Sequence, residues 1–133
     1  MVFAGNALTM VHNTGAQTVK EIKAYVRPEL LEAILPPLEE AGARDITVMR
    51  GVDALANLAD QERDRWHFFR RYDEEYSGVA KLEIVCTDAL SDKFVDLIRT
   101  HGHTGESGDG RVFVSTIDKA VSIRTGAAGE EAL

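Results

Sequence analysis

Gly108-Asp109-Gly110-Arg111 is the stretch of this sequence best suited to hold an anion. Glycine has no Cβ to keep an anion away from the backbone, and successive N–H groups in such a bend form an anion-binding concavity. Arg111 adds a fixed charge matched to phosphate oxygens. The same four residues also suit a plain turn between a helix and a strand, because Gly and Asp are common in turns. His101 and His103 stand two apart, as a metal pair could. Their spacing places no third ligand, and no metal site is expected. Cys86 alternates onto the apolar side of its segment and reads as inert packing. No nucleophile, base and orienting group stand in a readable arrangement, so no catalysis is expected. Trp66, Phe68 and Phe69 lie among charged residues, where they suit either a lid on the domain itself or a docking surface for a partner.

The elements that position these residues follow from hydrophobic periodicity. A strand is expected over 19–26, with Ile22, Ala24 and Val26 on one side and Glu21, Lys23 and Tyr25 on the other. Pro28 marks a helix start. Leu30, Leu31, Ile34, Leu35 and Leu38 then share one helical face. Pro36 and Pro37 are expected to kink or split that helix, and Gly42 to end it. Further strands are expected over 45–50, 80–86 and 112–115, and a second helix over 90–101 capped by Asp88 or Ser91. Residues 118–123 read as one more turn and a short strand. The long charged connection over 51–78, with a short helix near 54–65, reads as a functional loop.

The resulting order, β-α-β-β-α-β, is that of an α+β ferredoxin-like sandwich with two helices on one face of a four-stranded antiparallel sheet. The other face would carry Tyr25, Thr47, Met49, Val85 and Phe113 together with Lys23, Glu83 and Arg111. A face this apolar suits burial in a symmetric oligomer.

The chain has 133 residues, enough for one domain. Its net charge of −7 argues against a duplex-wrapping nucleic-acid binder. No apolar run approaches the ~20 residues of a membrane span, and a single cysteine suits a reducing cytoplasm. Residues 1–18 carry no Lys, Arg, Asp or Glu and read as a flexible leader rather than a signal peptide. The domain is expected over 19–126, followed by a small acidic tail over 127–133.

The run from Thr104 through Gly105-Glu106-Ser107-Gly108-Asp109-Gly110-Arg111 to Val114, followed by Ile123-Arg124-Thr125-Gly126, resembles the C-terminal signature of the PII signalling family. The stretches 19–28, 42–51 and 81–86 fit the rest of that fold. The resemblance implies a cytoplasmic homotrimer that binds adenine nucleotides in clefts between subunits. It also implies a long loop, here 51–78, that acts on a transporter, enzyme or regulator. Carried over by position, Gly108, Asp109, Gly110 and Arg111 would hold phosphates and Arg124 would reach one from the C-terminal loop. Gly51, Glu83 and Val85 would line the adenine and ribose pocket.

Several positions depart from the family pattern. Ser122 stands where a second phosphate-binding arginine is usual, which disfavours a triphosphate relative to ADP or AMP. Val52, Asp53, Ala54 and Leu55 replace the Arg and Gln that follow the loop-opening glycine, which weighs against magnesium and 2-oxoglutarate. Tyr72 and Tyr76 lack the surroundings of the familiar uridylylation site. These departures look more like the divergent PII-like proteins linked to bicarbonate transport and carboxysomes. The alternative of another class is a trimer of the related CutA type, handling divalent metal and lacking a nucleotide site.

Overall fold

The computed structural model describes residues 18–54 and 78–133. Nearly all of the leader, the helix expected near 54–65, Trp66, Phe68, Phe69, Tyr72 and Tyr76 lie outside the described residues. Strand β1 is Val19–Val26, and a single 3-10 turn at Pro28–Leu30 leads into helix α1, Leu31–Glu40. Strand β2 is Asp45–Val52 and β3 is Val79–Thr87. Helix α2 is Asp88–Gly102 and β4 is Arg111–Ile117. The four strands form one sheet in the order β2-β3-β1-β4, with every neighbouring pair antiparallel. Two helices against this sheet give the expected α+β ferredoxin-like fold.

The alternation read in the sequence sets the layers. Ile22 pairs with Ile84 and Ala24 with Leu82 across β1 and β3, and all four side chains are buried. Leu31, Ile34 and Leu38 of α1 and Phe94 and Ile98 of α2 close over them, with Cys86 on the same side. Burial, and then the nearby Asp88 carboxylate, push the Cys86 thiol up from its ordinary range. The second face holds three cross-strand rows. These are Asp45-Val85-Glu21-Ser115, Thr47-Glu83-Lys23-Phe113 and Met49-Lys81-Tyr25-Arg111. Tyr25 meets Phe113 edge to face, with centroids 6.1 Å apart. Lys81 Nζ lies 3.1 Å from Glu83 Oε2, and that hydrogen-bonded pairing raises the lysine pKa.

Three local expectations need correction. Pro36 and Pro37 sit inside one continuous α1 rather than breaking it. The N–H groups they lack would have served the carbonyls of Glu32 and Ala33, on the exposed side of the helix where water can serve instead. Neither Asp88 nor Ser91 caps α2: Thr87 holds the cap position without a side-chain bond. Ser91 Oγ instead donates to the Asp88 carbonyl at 3.2 Å, and the Asp88 N–H is taken by the Thr18 carbonyl at 3.1 Å. Thus a contact with the start of β1 satisfies a donor that a cap would otherwise serve. The strand expected within 118–123 is only a single bridge between Val121 and Ala128. Around it Ser122 N–H donates to Ala127 at 2.8 Å and Gly129 N–H to Ala120 at 2.9 Å. The expected stop of α1 holds: Gly42 has φ 103°, and Ala43 N–H donates back to the Leu38 carbonyl at 2.9 Å.

Candidate functional site: the loop between helix α2 and strand β4

In this topology β1 lies beside β4 and antiparallel to it, so the end of β1 meets the start of β4. Tyr25 pairs with Arg111 at that junction. The loop 103–110 therefore folds against residues 25–27. Its centre is Asp109. One carboxylate oxygen, Oδ2, accepts the Thr104 N–H at 2.8 Å and the Gly105 N–H at 2.9 Å. The other, Oδ1, accepts the Thr104 hydroxyl and the Arg27 Nε–H, the latter at 3.1 Å. Arg27 Nη2 also donates to the Ser107 carbonyl at 2.8 Å. Burial by itself would raise the Asp109 pKa, but the donors from Thr104, Gly105 and Arg27 outweigh it and hold the group well below the usual carboxylate range. His103 Nδ1 stands 3.7 Å from Oδ2, beyond a hydrogen bond.

Gly110 brings the loop down onto β1. A Cβ there would stand 1.7 Å from the Tyr25 carbonyl oxygen, and φ is +98°, so only glycine fits. The backbone N–H groups of Gly108, Asp109 and Gly110 donate no hydrogen bond to another described residue. Such donors call for an acceptor from outside the loop. Arg111 follows directly. It is exposed and forms no ion pair among the described residues. It also lines a cleft of about 420 Å³ between the last turns of α2 and the start of β4, along with Tyr25, Ile98, Arg99, His103 and Asp109. Three donors and a guanidinium beside an open cleft can bind an anion of phosphate type.

Gly108, Asp109, Gly110 and Arg111 thus lie together. Asp109 faces inward, its oxygens engaged by the loop and by Arg27. The other expected residues are not joined to them within one chain. Gly51 is on β2, separated from β4 by β3 and β1, which at ~4.8 Å per strand is about 14 Å. Glu83 and Val85 lie on the second face of the sheet, Glu83 paired with Lys81. Arg124 comes only after β4, which at ~3.3 Å per residue carries the chain about 20 Å from Arg111. It makes no side-chain hydrogen bond or ion pair among the described residues. Sequence reasoning gave no part to Arg27 and Thr104. The signal for Arg27 was topological: in a ferredoxin-like order the residue just after β1 must abut the start of β4. Among the described residues no group of three or more His, Cys, Asp or Glu could hold a metal ion. No helix among them is long and apolar enough to cross a membrane.

Comparison with known proteins agrees with this architecture. The family model described as "Nitrogen regulatory protein P-II" matches residues 19–127. Nitrogen regulatory protein P-II 2 of Methanothermobacter thermautotrophicus is 37% identical over 117 residues, covering 86% of this chain and 97% of the relative. Nitrogen regulatory protein P-II of Bradyrhizobium diazoefficiens is 33% identical over 117 residues, covering 86% of this chain and all of the relative. Among solved structures, the B. subtilis GlnK–ATP complex superposes with a TM-score of 0.70 at 24% identity, over 89% of this chain and 98% of that one. The citrate-bound PII of Arabidopsis thaliana gives 0.65 at 26% identity, over 86% and 88%. The sheet and the two helices therefore follow a fold already seen in solved structures, and the chain belongs to the nitrogen regulatory protein P-II family.

Proposed function

We propose that this chain is a non-enzymatic signalling protein of the cytoplasm. It binds adenine nucleotide in clefts between three copies of itself and acts on a partner protein through residues 51–78. One observation carries the reading: the N–H groups of Gly108, Asp109 and Gly110 have no acceptor among the described residues and stand beside Arg111, which forms no ion pair among those residues. The similar B. subtilis protein was solved with ATP, which suits a polyphosphate at this position. The spread of Gly51, Glu83, Val85 and Arg124 over distant parts of one chain favours a pocket that several copies complete, and the half-exposed Phe113 on the second face favours the association that would bring them together.

Ser122 supplies no second cation, so ADP or AMP is held better than Mg-ATP with 2-oxoglutarate. The nucleotide can signal only if it binds one arrangement of 51–78 better than another. The partner is a transporter or a protein of carbon or nitrogen metabolism. The matching family model is that of P-II, which favours this reading over a CutA-type trimer.

A thermal-shift panel tests the reading, with AMP, ADP, ATP and cyclic AMP, each with and without bicarbonate or 2-oxoglutarate. Stabilisation by ADP or AMP, greater than by ATP and indifferent to 2-oxoglutarate, is the expected pattern. No shift with any adenine nucleotide would overturn it.

A further inference from the structure

We propose that Arg27 is the positioning residue of the anion loop, holding it in shape from outside and cancelling the charge of the carboxylate at its centre. The inference rests on the reading that this loop holds nucleotide phosphates. Pro28 restricts the residue before it to extended backbone, and Arg27 has φ −67° and ψ 130°. Its carbonyl accepts the Leu30 N–H at 3.0 Å, closing the first turn toward α1. The backbone of Arg27 is thus fixed on both sides, and its side chain is only 11% exposed. From there the guanidinium reaches two points of the loop. Nε–H donates to Asp109 Oδ1 at 3.1 Å and Nη2 to the Ser107 carbonyl at 2.8 Å. These points flank Gly108, so the clamp holds two of the three residues whose N–H groups lack acceptors, Gly108 and Asp109.

The electrostatic part follows from the position of Asp109. Its carboxylate sits between the two glycines and two residues before Arg111, the first residue of β4, at the same bend that would receive phosphate oxygens. Unpaired, that negative charge would repel them. Thr104 and Gly105 satisfy its hydrogen-bonding capacity but bring no net charge. Arg27 supplies the compensating charge. A clamp that only ordered the loop would affect all ligands alike. A clamp that also neutralises Asp109 must affect them in proportion to phosphate charge, because the repulsion scales with the ligand's charge.

Calorimetric titration of AMP, ADP and ATP into the full chain separates these cases, using wild type, Arg27→Met, Arg27→Lys and Asp109→Asn, with circular dichroism to check the fold. Arg27→Met is expected to weaken ADP by about ten-fold, in the range of losing a charge-assisted hydrogen bond. ATP should lose more and AMP less, and Arg27→Lys should recover much of the loss. Folded Arg27→Met that binds all three as wild type does would overturn the proposal, as would an equal loss for all three with no recovery in Arg27→Lys. If Arg27→Met does not fold, Arg27→Lys and Asp109→Asn decide it. Arg27→Lys, which keeps the compensating charge, has to show a loss of similar size for the three nucleotides, while Asp109→Asn, which removes the repelling charge, must show a loss that shrinks from AMP to ATP. A loss in Arg27→Lys that grows with phosphate number, or no gradient in Asp109→Asn, overturns the proposal. Wild-type chain that binds none of the nucleotides would overturn the functional reading itself, a result visible before any variant is made.

Discussion

At the scale of single residues, Asp109 and Gly110 do different work in one bend. Asp109 is a carboxylate saturated by donors, and its pKa is depressed in the folded chain. A depressed value means that its contribution to stability is fully present above the unfolded carboxylate value near 4 and is lost as pH falls through the folded value. Asp109→Asn should therefore melt below wild type at pH 7. The difference in melting temperature should narrow progressively below about pH 4, as paired thermal scans across pH would show. A constant difference down to pH 2 would contradict the ionic account. Gly110→Ala meets the Tyr25 carbonyl oxygen. It should cost stability by about 1–3 kcal/mol for backbone strain and lower nucleotide affinity as well, both measurable on purified protein. Arg111→Ala leaves the fold intact, since that side chain is exposed and forms no ion pair among the described residues. It should weaken ADP by about ten-fold or more in calorimetry, as expected for a lost charged contact.

At the scale of elements, the core is a simple consequence of period. Ile22, Ala24 and Val26 on β1 and Leu82, Ile84 and Cys86 on β3 were legible because alternate residues of a strand share a face. Phe94 and Ile98 were legible because residues four apart share a helical face. Phe94 is fully buried between α2 and the sheet, and Phe94→Ala should destabilise the chain by about 3–5 kcal/mol in denaturant unfolding. What was not legible depended on distant partners. The continuous α1 over Pro36 and Pro37 depends on which side of the helix is left exposed, and the start of α2 on a carbonyl of Thr18. The candidate site divided in the same way. Gly108, Gly110 and Arg111 could be read from residue type. The inward turn of Asp109 and the part played by Arg27 required knowing that β1 and β4 are neighbours.

At the scale of the whole molecule, one chain holds only part of the expected pocket. The glycine-flanked loop lies at one end of β4, the Arg124 turn follows the other end, and Gly51 is on the opposite edge strand. The half-exposed Phe113 and its edge-on partner Tyr25 lie on the face with no helices, where association would cover them. The measurement that tests this account most directly is a crystal structure of the full chain grown with excess ADP. The account predicts a trimer with phosphate oxygens on the N–H groups of Gly108 and Gly110 and on Arg111, and an Arg124 supplied by a second copy. A monomer, or a trimer whose glycine-flanked loops stay empty while ADP binds elsewhere, would contradict it.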